Sequence, residues 1–271
     1  YFSKGFQWLY SLNIIDWSID ERLSLFLKLP FENEVWNNLE KFLGERSEDY
    51  WRKVAANPYR TESDLFIAVR NLLKYDRPLL AFLCIYVHYI RKKELLKEEA
   101  IDALQRMDML QEKNYFVSEY QIVEIIKILY SDKEMDEKTL FEIEWKYLPL
   151  LNEYYDAKPE LLERRLSTDP DFFIKVVRLV YRPKDQTEEE HGYSEERVDD
   201  SKSRALWNLL NTWKIVPGIT DDGSFNVGTF KEWLEKVSNE ARESGHSEVA
   251  MLYVGRVLLY TPPDSSGLWI N

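Results

Sequence analysis

The sequence predicts an all-α fold: antiparallel helical hairpins stacked as an irregular α-solenoid of tetratricopeptide or HEAT type. Three observations predict it. No glycine occurs between Gly44 and Gly192, and hairpin-rich β proteins need glycine in their turns. Apolar residues recur at helical spacing, as in Leu65, Ala68, Val69, Leu72 and Leu73, or Phe172, Phe173, Val176, Val177 and Val180. Helix start signals recur as well: Ser18-x-x-Glu21, Thr61-x-x-Asp64, Ser118-x-x-Gln121 and Thr168-x-x-Asp171 match or approximate capping boxes.

Taken in order, these signals predict helices over 3–11, 18–28, 33–43, 47–55, 62–75, 79–92, 97–109 and 118–131. They continue over 137–155, 159–166, 170–181, 200–214, 227–243 and 247–260. Pro78, Pro159 and Pro170 fall where a first helical position is expected, since proline has no N–H to lose there. Glu160 with Arg164 and Glu232 with Lys236 stand at i,i+4 spacing. The apolar run from Leu79 to Ile90 is interrupted only by His88. It is too short to span a bilayer, which takes about 20 residues, and so predicts a central buried helix. Short connections suit antiparallel neighbours. The junction Tyr75-Asp76-Arg77-Pro78 echoes Tyr155-Asp156-Ala157-Lys158-Pro159, but no clean repeat period is present.

The stretch from Lys184 to Arg197 is dense in charge and carries no apolar stripe. The expected organisation is a main helical array over 1–183, a charged flexible loop over 184–199, and a smaller C-terminal helical unit over 200–271 packing on the array. The apolar starts and ends, Tyr1-Phe2 and Leu268-Trp269-Ile270, suggest a piece of a longer polypeptide.

A formal charge of −12 disfavours nucleic acid and predicts a basic or neutral protein partner. The single cysteine, Cys84, excludes an internal disulfide and fits a reducing cytoplasm. No signal peptide or membrane span is legible. His88, His191 and His246 lie far apart, so no zinc-ligand spacing exists. His88 is expected as a hydrogen-bonded core residue, and His246, near a helix start, in a solvent or capping role.

Asp221-Asp222-Gly223-Ser224 resembles a fragment of a calcium loop. A frame from Asp221 closes on Glu232, but Asn226 and Gly228 match poorly and Val227 occupies or adjoins the turn that needs glycine. A polar turn before helix 227–243 is the better reading. Asp199-Asp200 lacks the further aspartate of terpenoid-cyclase magnesium motifs, Ser203 standing there, and is read as an N-cap. Glu142 and Glu144 cannot face one way on a helix. No phosphate-binding or nucleophile-elbow motif is present. The expectation is a chain with no catalytic residues, no cofactor and no metal.

Aromatics make up 14% of the chain, and Trp36, Trp51, Trp145, Trp207, Trp213 and Trp233 all fall in predicted helices. Most are expected to fill gaps between helices. Trp145, Tyr154, Tyr155 and Arg164, near the central turn, are the candidate interaction surface.

Several stretches resemble segments of large, mostly uncharacterised bacterial proteins. They include Leu29-Pro30-Phe31 with Trp36, Tyr50-Trp51-Arg52 with Asn57-Pro58-Tyr59, and Asp169-Pro170-Asp171-Phe172-Phe173. Trp207-x-x-Leu210-x-x-Trp213, Asp222-Gly223-Ser224-Phe225, and Glu248-Val249-Ala250 through Pro262-Pro263-Asp264-x-x-Gly267-Leu268-Trp269 complete the set. The resemblance implies a C-terminal helical-repeat region, with an NTPase or effector portion upstream in a phage-defence setting. The expected function is a non-catalytic scaffold or recognition arm making protein–protein or interdomain contacts. The alternative is an α-helical enzyme of the toroidal glycosidase type, which needs two carboxylates about 5–10 Å apart with one raised pKa.

Overall fold

The computed structural model describes residues 7–108, 117–151, 156–181, 200–220 and 223–260. Among them the secondary structure is helical, with no strand and one isolated antiparallel bridge between Ile219 and Phe225. The all-α expectation holds. The chain divides into two compact units, Tyr1–Ser131 and Asp132–Asn271.

The first unit begins with α1 (Gln7–Ser11), α2 (Ile19–Phe26), α3 (Asn33–Trp36), α4 (Leu39–Leu43) and α5 (Ser47–Lys53). It continues with α6 (Phe66–Lys74), α7 (Pro78–Lys92), α8 (Lys97–Arg106) and α9 (Glu119–Ser131). The apolar run predicted to be central is α7: every residue from Pro78 to His88 is buried. Helices α6 and α8 pack on it, burying Ala68, Val69, Leu72 and Leu73 from one and Ala100, Ala103 and Leu104 from the other.

Two of the anticipated capping boxes are present in full. Ser18 and Glu21 exchange backbone N–H bonds of 2.9 and 3.3 Å, and Ser118 and Gln121 exchange bonds of 2.8 and 3.4 Å. Thr61 does not cap. Its hydroxyl accepts from the Ser63 N–H, Asp64 takes the Phe66 N–H, and the helix starts only at Phe66. The predicted helix 33–43 is two helices, broken at the weak helix formers Asn37 and Asn38.

Helix ends are closed mainly without glycine. Asp76 takes the left-handed conformation, φ 59°, so that Asp76 N–H reaches Leu73 O and Arg77 N–H reaches Leu72 O, as a Schellman end requires. Arginines reach across from other helices to the remaining carbonyls. Arg22 donates to Phe42 O at the end of α4, at 2.7 Å. Arg77 donates to Arg52 O beside the end of α5, at 2.7 Å. Arg106 donates to Leu73 O at the end of α6, at 2.8 Å, while pairing with Asp76 and Asp102.

The second unit contains α10 (Glu137–Tyr147), α11 (Glu160–Thr168), α12 (Pro170–Val180), α13 (Asp200–Thr212), α14 (Val227–Glu243) and α15 (Ser247–Leu258). The predicted helix 137–155 is therefore shorter than expected, closing with a 3-10 turn at Leu148–Leu150. Asp169, not Thr168, caps α12, accepting the Phe172 N–H at 3.1 Å. Pro170 occupies the first helical position, whereas Pro159 stands one place earlier as the cap of α11. Phe173, Trp213 and Trp233 meet at the centre, with ring centroids 5.2 to 6.1 Å apart. The Trp213 indole N–H donates to Ser167 Oγ at 2.8 Å, and Ser167 donates onward to Ile215 O at 2.6 Å. This chain satisfies polar atoms that burial would otherwise penalise.

Asp156 is also left-handed, φ 50°, so the two echoed Tyr-Asp junctions share a backbone conformation at their aspartates. At the polar turn before α14, Thr220 and Ser224 are bonded to each other and Asn226 caps the helix through the Thr229 N–H. Asp221 and Asp222, the charged stretch 184–199 and the terminal segments lie outside the described residues. Among the described residues no helix is long and apolar enough to cross a membrane.

Candidate functional site: an aromatic groove edged by cations

Phe141 and Trp145 are four residues apart on α10, the spacing that puts two side chains on one helix face. That face is directed toward the start of α12. Phe172 stands there, with its ring centroid 5.6 Å from Phe141 and 5.7 Å from Trp145, both in edge-on arrangements. The three rings form one strip in which Phe172 is core, 6% exposed, and the half-buried Phe141 and Trp145 supply the accessible part. Edge-on packing of this kind is worth about 0.5–1.5 kcal/mol per pair beyond area burial.

Cations border the strip at both ends. The Arg165 guanidinium lies over Phe141 at 4.2 Å and near Phe172 at 5.3 Å. The Lys175 and Lys202 ammonium groups lie 4.8 and 4.3 Å from the Trp145 centroid. Such contacts contribute about 0.5–1 kcal/mol at exposed positions. Arg165 is oriented from its other side by Asp169, at 3.1 Å, and Asp169 is itself fixed as the cap of α12. Asp171 is held by Lys236 from α14 at 2.7 Å, a hydrogen bond that raises the pKa of that lysine.

Two concavities indent this face. One, of about 300 Å³, is lined by Trp145, Phe172 and Lys175 together with Phe141, Arg165 and Asp169. The other, of about 340 Å³, shares Phe141, Arg165 and Asp169 and adds Glu137, Lys138 and Arg164. Of the predicted surface residues, Trp145 therefore lines the first hollow and Arg164 the second. Tyr154 and Tyr155 lie outside the described residues. Arg164 pairs with Glu137 of α10 at 3.9 Å, and Lys236 with Asp171, in place of the same-helix partners their spacing suggested.

Sequence reasoning missed Phe141, Lys175 and Lys202 as neighbours of Trp145, while Phe172 is buried in the α12 stripe where the spacing placed it. Phe141 was detectable, four residues before Trp145. The others come from separate helices, and only the fold brings them together.

The remaining tryptophans divide as their burial requires. Trp36, Trp51, Trp213 and Trp233 are core, while Trp207 is 47% exposed. His88 is buried, with Nε2 making no hydrogen bond, and His246 stands at the cap position of α15 without a side-chain capping bond. Burial pushes the pKa of the Cys84 thiol far up, which removes the thiolate needed for reactivity.

The fully buried Glu144 accepts the Leu161 and Leu162 N–H groups at 3.0 and 2.8 Å, so its carboxylate caps α11 from a neighbouring helix. Glu163 is half-buried, and desolvation holds its carboxyl above the ordinary glutamate value. Among the described residues of this unit it is the carboxyl whose pKa is raised. Among the described residues no group of three or more His, Cys, Asp or Glu side chains is placed to hold a metal ion.

Fold and site together define an all-α protein with an aromatic groove edged by cations. No protein family, curated protein or solved structure matches this chain.

Proposed function

We propose that this chain is a non-catalytic recognition arm, and that the groove on α10, α11 and α12 is where a protein segment docks. The observation that carries this reading is the pair of half-buried rings Phe141 and Trp145, seated on the core ring Phe172, indented by two hollows and bordered by cations. Interfaces concentrate their binding energy in aromatic and arginine side chains, because these present large areas at small entropic cost. Here the rings are pre-positioned by packing on one another, so little ordering remains to be done on binding.

In the finer reading, the helices of each unit stack as solenoid-like hairpins. The arm belongs to a larger bacterial protein of the cytoplasm, with an NTPase or effector portion in a defence role. The all-α fold and the sequence resemblance support that reading.

A photo-crosslinking residue in the full-length protein tests the docking role. Placed at Thr168, exposed on the groove rim, it is expected to give a discrete protein adduct in cells. Placed at the exposed Lys53 in the other unit, it is expected to give none. Adducts from Lys53 but not from Thr168 overturn the assignment.

A further inference from the structure

We infer that a cluster in the first unit, Tyr59, Tyr86, Tyr120 and Glu124, binds a primary alkylammonium group, the group that a lysine side chain or a free amine carries. None of these residues belongs to the groove of the second unit, so the inference stands apart from the docking reading.

The cluster joins three segments. Tyr59 lies in the 3-10 turn Pro58–Arg60, Tyr86 on α7, and Tyr120, Gln121 and Glu124 in the first two turns of α9. Each segment is tied to the others. Arg91 of α7 donates to Tyr59 O at 3.1 Å and also to Thr61 O. Gln121 Nε2 donates to the Tyr59 hydroxyl at 2.8 Å, while Gln121 Oε1 accepts the Ser118 N–H at 2.8 Å. The Tyr86 hydroxyl donates to Glu124 Oε2 at 2.8 Å. Burial, that bond and the Glu124 charge hold the Tyr86 phenol well above its ordinary pKa, so Tyr86 stays the donor. Tyr120 and Glu124 are four residues apart and share one face of α9.

Binding capacity is left over on the outer side. Among the described residues Glu124 forms no ion pair, and its Oε1 accepts no hydrogen bond. The Tyr59 hydroxyl accepts from Gln121 and keeps its own proton to give. The rings beside this carboxylate are accessible, Tyr59 being 46% and Tyr120 59% exposed. Glu124 itself is half-buried. A carboxylate partly withdrawn from water is stabilised by a positive partner, and the attraction is stronger there than in bulk water. Tyrosine rings attract the same kind of group.

The hydrogen bonds select among cations. A guanidinium binds best when it spans both oxygens of a carboxylate, and Tyr86 already engages one of them. An ammonium is a compact point charge with three donors, so it can use Oε1 alone and turn its other N–H groups to phenol oxygens. Its alkyl stem then lies along a tyrosine ring. At longer range, the formal charge of −12 draws cations toward the chain.

The test is a ligand-observed NMR titration of the full chain at physiological salt with three probes. They are n-butylammonium, Nα-acetyl-lysine N-methylamide and the uncharged isostere Nα-acetyl-norleucine N-methylamide. Each is measured against wild type, Glu124→Gln and Tyr120→Ala. Gln keeps an amide oxygen for the Tyr86 hydroxyl, and Tyr120 is exposed, so both variants should keep the wild-type circular dichroism spectrum. Both ammonium probes are expected to bind and the isostere is not. Glu124→Gln should weaken binding about 10-fold, and Tyr120→Ala about 2- to 5-fold. Tighter binding of the capped lysine than of n-butylammonium assigns the site to a protein side chain, and the reverse order assigns it to a free amine; both support the site. Absence of binding by either ammonium probe, equal binding of the norleucine isostere, or affinities unchanged in both variants overturns the inference.

Discussion

Glu163 illustrates how one residue's environment sets its response to pH. Burial on α11 disfavours its charged form, and Glu160 adds to that effect while Lys158, Lys214 and a hydrogen bond from Thr212 oppose it. The folded-state pKa therefore lies above the unfolded one. For such a carboxyl, stability is greatest below the ordinary glutamate range and is lost as pH rises through the raised folded value. At pH 7 the group carries a penalty that Glu163→Gln removes, while the amide oxygen still accepts a hydrogen bond. The gain should be small, about 0.5 kcal/mol, because the side chain is half in water and its electrostatics are screened. The expected outcome is a slightly higher Tm for Glu163→Gln at pH 7 and no difference at pH 4. A variant that melts lower at pH 7 would mean that the carboxylate makes a favourable interaction outweighing its burial.

At the scale of elements, helix starts were legible in the sequence and helix ends were not. Ser18 with Glu21, Ser118 with Gln121, and Pro78 and Pro170 act within a few residues of where they stand, so local pattern finds them. Thr61 and Thr168 were misleading because a closer competitor, Ser63 N–H in one case and the Asp169 cap in the other, decided the local geometry. The ends are reinforced by arginines that arrive from another helix: Arg106 lies 33 positions from the Leu73 carbonyl, to which it adds a second donor beside the Asp76 N–H. No local pattern encodes that distance, and the same holds for the groove, whose aromatic strip joins α10 to α12. Arg106 also gains from two carboxylates, Asp76 and Asp102, which raise its pKa and keep it charged. Replacing it by Met retains the stem and removes the donors, leaving Leu73 O with the Asp76 N–H alone and Asp76 and Asp102 without their shared partner. That change should cost about 1–3 kcal/mol and lower the Tm by several degrees, on the order of 2–8 °C. Thermal denaturation followed by circular dichroism measures it. An unchanged Tm would mean that water satisfies that carbonyl equally well.

At the scale of the whole molecule, the second unit owns a complete core. The buried cluster runs from Leu148 through the α12 stripe to Val257, and every residue packed into it lies within Asp132–Asn271. Most of its polar interior pairs within the unit: Trp213 is satisfied by Ser167, Tyr181 bonds Tyr253 at 2.7 Å, and Arg256 reaches Asn211 and Leu210, while the buried Trp233 Nε1 makes no hydrogen bond. A unit whose apolar core closes on itself meets the requirement for folding alone. Residues 132–271 expressed without the first unit should therefore give a helical circular dichroism spectrum and a single cooperative melt. Near-ultraviolet signals from the Phe173–Trp213–Trp233 cluster should persist, because fixed packing of those rings produces them and a loosely collapsed chain loses them. The groove residues all belong to this unit, so the isolated piece should also retain docking of the protein segment at the affinity of the full chain. Helical signal without a cooperative melt would show that the core is fixed only when Tyr1–Ser131 is present. Retained folding with lost binding would place part of the docking surface in the first unit.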